Sequence, residues 1–240
     1  MSQPNQRRQQ SLYDALEPIL TATRLAPYLA AAHGNRKRAL QLYQWNIVLS
    51  GAVYEALHVF EVVFRNALDA QLCVWNAGQT DQSTQLLHNS EWLQDPAPLL
   101  KRLVRSSDLA NAQARAARAV RMRKRPVGHA DLLAQLTFGT WRFLLPDKDP
   151  GRQFLWNNAL HRAFPHLQHT TKQLVGFVDG VYQLRNRVAH LEPLLRMESV
   201  RNQFTNIRTV LATIDPVAEQ WFVSTQRVTS LLKARPDASR

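Results

Sequence analysis

Towards its C-terminal end the chain reads Arg185-Asn186-Arg187-Val188-Ala189-His190, residue types that at this spacing can cut a phosphodiester. Internal RNA cleavage needs a base for the 2′-OH proton, an acid for the departing 5′-oxygen and positive charge for the phosphorane. An imidazole titrates near neutral pH and can take either proton-transfer role, an effect of about 10²–10⁴-fold in rate; His190 is the candidate. A guanidinium holds a phosphate through its planar fork, which makes Arg185 the candidate phosphate ligand. Asn186 precedes His190 by four residues, so on a helix the two share a face and the amide can orient the ring or the substrate. Arg187 reads as an electrostatic helper or a surface residue. The same residues also have an architectural reading, in which Arg185 pairs with Glu192 or Glu61, Asn186 caps, and His190 closes the helix as a C-terminal cation. On an ideal helix Arg185 and His190 point about 140° apart, so either the helix deviates there or the pair converges between two copies of the chain.

The elements that must position these groups are helices. Glycine is scarce, 8 in 240 residues, and apolar residues recur at three- and four-residue spacing, so the fold class expected is all-α. The motif ends a helix over 169–190 whose stripe is Leu174, Phe177, Val178, Val181, Leu184 and Val188, and which must stop before Pro193. A long proline-free stretch over 36–75 forms the main beam, with Leu40, Tyr43, Ile47, Tyr54, Leu57 and Leu68 on its apolar pattern and Gly51 as its weak point. Glu61 and Arg65 lie on that beam. A carboxylate there can hold Arg185 or His190 in a working orientation, or Glu61 and Arg65 simply pair four residues apart on the helix surface. We expect a disordered tail over 1–10, a single helical domain over 11–232 with a loop or insertion at 76–98, and a flexible tail over 233–240.

Composition narrows the partners. The formal charge of +12, from 30 Lys and Arg against 18 Asp and Glu, makes a polyanion the default partner through counterion release. Arg115, Arg118, Arg121, Arg123, Lys124 and Arg125 form a basic helix stripe able to follow a phosphate backbone, or else a solvated face. One cysteine, Cys73, excludes an internal disulfide and a cysteine-rich zinc ribbon, and fits a reducing compartment. The polar N-terminus and the lack of about 18 uninterrupted apolar residues predict a cytoplasmic protein without a membrane span. His161, His166 and His169 lack accompanying cysteines or carboxylates, and Pro165 breaks any shared helical face, so neither a metal nor another cofactor is expected. There is no phosphate-cradling glycine loop and no nucleophile elbow. No helix-turn-helix is recognisable, and the chemistry above needs a 2′-OH, which disfavours DNA.

The motif does not stand alone. Upstream come Leu42-Tyr43-x-Trp45-Asn46 and Glu55-x-x-His58-x-x-Glu61-x-x-x-Arg65-Asn66-Ala67, then Leu136-Thr137-Phe138-Gly139-Thr140-Trp141, Leu155-Trp156 and Ala163-Phe164-Pro165, and finally Leu184-Arg185-Asn186-Arg187-Val188-Ala189-His190-x-Glu192-Pro193. This ordered succession, over roughly residues 11 to 212, resembles the Abi-like (abortive infection) family of the HEPN superfamily. Where many relatives carry a second histidine, this chain has Leu191. The resemblance implies a helical bundle with peripheral helices that forms a homodimer. Its two Arg-x-x-x-x-His segments would then face one cleft and cut RNA without a metal. It also implies a toxin-like role in antiphage defence, for which an antitoxin or another regulatory partner is a candidate the sequence leaves open. The alternative is a catalytically silent HEPN module that binds RNA or a partner protein.

Overall fold

The computed structural model describes residues 3–121 and 125–236, with side chains from Leu12 onward. Among the described residues the regular structure is entirely helical: twelve α-helices, one short 3₁₀ turn at Leu160–Ala163, and no strand beyond a single Thr80–Leu87 bridge. The helices are α1 (Gln3–Leu20), α2 (Ala22–Ala31), α3 (Arg36–Ala77), α4 (Pro98–Leu103), α5 (Ser106–Arg121), α6 (His129–Leu133), α7 (Phe138–Arg142), α8 (Pro150–Asn158), α9 (Thr171–Ala189), α10 (Met197–Ile214), α11 (Pro216–Thr225) and α12 (Val228–Lys233).

Where a loose tail is expected over 1–10, the chain is helical from Gln3. Pro4 falls in the first turn, where a missing N–H removes no helical bond, and Gln and Arg are good helix formers. Residues 237–240 of the expected C-terminal tail lie outside the described residues, and α12 ends at Lys233. Where one domain is expected, the chain organises into two compact units. One comprises the chain up to His58, Gln183–Thr205 and the part from Phe222 on; the other comprises Val59–Tyr182 and Asn206–Trp221.

In the first unit, Tyr13, Leu25, Tyr28, Leu42, Leu49 and Val53 are buried. Tyr28 meets Tyr43 edge to face, with centroids 5.0 Å apart, in the arrangement the ring quadrupoles favour. Trp45 Nε1 donates to Leu231 O at 2.8 Å and so fastens α12 to α3. In the second unit an aromatic core links Phe60, Phe64, Phe138 and Phe164, and the fully buried Trp92 meets Trp141 at 6.0 Å.

Helix α3 is continuous through Gly51; one glycine weakens a helix by about 1 kcal/mol, which the packing of a long helix overrides. Its buried stripe is Leu42, Trp45, Leu49, Val53, Leu57, Phe60, Phe64, Leu68 and Leu72. Ile47 and Tyr54, expected in the core, are 54% and 66% exposed. By length and composition α3 could also cross a membrane; 39% of its most apolar window is buried within the protein. The loop between α3 and α4 is largely exposed over 80–91 and packs at its C-terminal end, where Trp92, Leu93 and Ala97 are buried. Asn76, fully buried, donates to Asn89 O and Asp95 O and accepts from Ala97 N, so one amide satisfies three backbone groups and lets Trp92 and Leu93 enter the core.

Candidate active site

Helix α9 forms because Leu174, Val178, Val181, Leu184 and Val188 make one buried stripe. It ends at Ala189, so His190 is its cap residue and lies exposed beyond the last full turn. Arg185 and Asn186 are half-buried in the last two turns. His190 N donates to Asn186 O at 2.9 Å, which keeps the two residues one turn apart. Leu191 N then donates to Val188 O, and Glu192 N reaches back to Arg187 O at 2.8 Å. These crossed bonds, with Leu191 in the left-handed region at φ 57°, are a Schellman stop. A leucine in that conformation is under strain of about 1–2 kcal/mol, and it persists only where the surroundings fix it.

Three side chains fix it. The Arg24 guanidinium donates to Leu191 O. Arg187 donates to Pro193 O at 2.5 Å and to the Glu192 carboxylate at 3.3 Å. Asn46, 3% exposed on α3, accepts from Leu194 N at 2.6 Å. Arg187 is therefore a clamp on the turn after His190. Glu192, offered by the sequence as a partner of Arg185, pairs with Arg187. Arg24 has no sequence signature, because its acceptor is a backbone carbonyl; Asn46 was visible only as part of the Tyr43-x-Trp45-Asn46 string.

Glu61 and Arg65 are half-buried on the stretch of α3 that belongs to the second unit, and Arg65 Nε makes a long 3.4 Å bond to Asn66 Oδ1. The basic stripe divides. α5 packs through Ala112, Ala116 and Val120, leaving Arg115, Arg118 and Arg121 exposed. Arg115 donates to Gln135 O at 2.6 Å, and Arg125 is forked onto Asp131 through two 2.6 Å bonds, so both also act in the local fold. Arg123 and Lys124 lie outside the described residues.

No family model, curated protein or solved structure matches this chain.

Two of the three histidines weighed as metal ligands engage elsewhere: His161 Nδ1 bonds Trp156 O at 2.9 Å, and His169 stacks edge-on against Phe177. Among the described residues one group has metal-ligand geometry, Asp69, Cys73 and His129. The four-residue spacing of Asp69 and Cys73 was the only sequence signal for it. Cys73 is no thiolate nucleophile by itself, since burial and the neighbouring Asp69 carboxylate push its thiol up to about 11.

Proposed function

We propose that this chain is a cytoplasmic, HEPN-type endoribonuclease of Abi-like character that works as a homodimer and cuts RNA without a metal, in a toxin-like role in antiphage defence under the restraint of an antitoxin or regulatory partner. The observation that carries the reading is the end of α9: an exposed imidazole at a helix stop, with Asn186 one turn behind it and a strained residue directly after it. Strain of this kind concentrates at functional sites. In this reading Arg185 binds the scissile phosphate, Asn186 positions the ring or the substrate, and His190 transfers protons. One imidazole serves poorly as acid and base in the same step, so two motifs, one from each copy, share the work. Arg118 and Arg121, both exposed on α5, carry sequence-independent RNA contact. Exposed apolar residues of the first unit, Ile47, Val48, Tyr54 and Leu191, favour a second copy as partner.

The test is incubation of the purified protein and its His190→Ala variant with mixed cellular RNA in EDTA, reading fragment ends for 2′,3′-cyclic phosphate. The wild type should cleave, and the variant should lose about 10²-fold or more of the rate. Absence of cleavage by both proteins would remove the enzymatic reading and leave the binding module.

A further inference from the structure

The second unit holds a cluster that the ribonuclease reading does not use. Asp69 and Cys73 stand four residues apart on α3, on one helix face, and α6 delivers His129 beside them. Cys73 Sγ is 3.8 Å from His129 Nε2 and 3.9 Å from Asp69 Oδ2, and Nε2 is 2.9 Å from Asp69 Oδ1. A tetrahedral ion with bonds of about 2.0–2.1 Å to nitrogen and oxygen and 2.3 Å to sulfur separates its ligand atoms by roughly 3.3–3.6 Å. Each of the three side chains offers one ligand atom, and these all lie within 4.8 Å of one another, so small side-chain rotations bring them to that spacing.

Their surroundings hold them there. Trp92 Nε1 donates to Asp69 Oδ1 at 2.8 Å, the kind of supporting bond that orients a ligating carboxylate. His129 is set by the start of α6, where Asp131 accepts from Gly128 N at 2.9 Å and is gripped by Arg125. The ring's other nitrogen, Nδ1, is buried and has no hydrogen-bond partner among the described residues, where the imidazole's polar contacts lie on the side of Asp69 and Cys73. At 3.8 and 3.9 Å the sulfur makes weak hydrogen bonds to the imidazole and the carboxylate, which keep it facing both groups. Cys73 is half-buried, so the cluster has an open side towards solvent.

We propose that Asp69, Cys73 and His129 bind one divalent transition metal of the zinc class, with water in the fourth position. Thiolate, imidazole and carboxylate together select zinc over magnesium or calcium, which take oxygen ligands. One carboxylate and one thiolate neutralise the ion's two charges, and binding releases the thiol proton to solvent. The proposal does not rest on the ribonuclease reading.

The experiment uses the full chain stripped with chelator and titrated with Co²⁺. One equivalent should raise a thiolate-to-cobalt charge-transfer band that Zn²⁺ abolishes. Cys73 is the chain's single cysteine, so such a band reports this site. Cys73→Ser should remove the band, and His129→Gln should weaken Zn²⁺ binding at least tenfold, with helical circular dichroism unchanged. In parallel, and independent of any variant's folding, Zn²⁺ should slow alkylation of the wild-type thiol at least tenfold. A wild type with neither band nor protection overturns the proposal, as does a band that survives in Cys73→Ser.

Discussion

At the scale of single residues, the candidate site depends on a carboxamide far from it in sequence. Asn46 and Leu194 are 148 positions apart, yet the buried 2.6 Å bond between them fixes the chain just after His190. Removing the acceptor leaves a buried N–H without a partner, which costs about 1–3 kcal/mol. Asn46→Ala should therefore lower the melting temperature by roughly 2–4 °C per kcal/mol lost. The surface pair Arg187–Glu192 is worth under about 1 kcal/mol, so Glu192→Gln should lower the melting temperature by less than about 4 °C, and by less than Asn46→Ala. Calorimetry of the two variants separates these roles, and equal melting temperatures for both would show that Asn46 does not hold the turn. Sequence alone names Asn46 but cannot supply its partner, since a backbone N–H is the same at every non-proline position. The same blindness hides Arg24, whose acceptor is Leu191 O. Arg185, Asn186 and His190 could be named as candidates because side-chain type and spacing are all that such a motif displays in a sequence. The metal-like trio was not, because His129 reaches Asp69 and Cys73 only through the fold.

At the scale of elements, α9 shows how a helix is brought to a stop beside a candidate site. Its stripe was readable from Leu174 to Val188, and so was a stop before Pro193. The manner of stopping was not, because a left-handed cap residue is ordinarily signalled by glycine or asparagine, and here it is Leu191. Leu191 is 69% exposed, so replacing it forfeits little burial. Leu191→Gly should relieve the left-handed strain and stabilise the fold by about 0.5–1 kcal/mol after the greater chain entropy of glycine is subtracted. Denaturant unfolding would show this as a raised midpoint with unchanged slope. A lowered midpoint would mean that the leucine side chain, and not only the backbone turn, contributes to the native state. Long helices such as α3 were legible in extent and poorly legible in facing. α3 carries apolar residues on two sides, so periodicity could not separate the buried Leu42, Trp45, Leu49 and Val53 from the exposed Ile47 and Tyr54.

At the scale of the whole molecule, that second apolar side becomes the question. Ile47, Gly51 and Tyr54 recur at four- and three-residue spacing, so they share one face of α3, and all three are exposed. A side chain added at Gly51 would meet nothing within 4 Å, so nothing inside the chain demands glycine there, while a mid-helix glycine weakens the helix by about 1 kcal/mol relative to alanine. A second copy of the chain would explain it, because a glycine between two exposed apolar residues lets another backbone approach closely, and a symmetric pair of chains brings two motifs together. Gly51→Glu then separates fold from assembly. The substitution should leave the helical signal intact and raise monomer stability, since glutamate is the better helix former. In sedimentation it should shift a dimer to monomer, and RNA cleavage should fall at least tenfold at the same protein concentration. A wild type that sediments as a monomer at micromolar concentration, or a Gly51→Glu variant that remains dimeric and fully active, would take this face out of the assembly and leave the single imidazole of each chain to act alone.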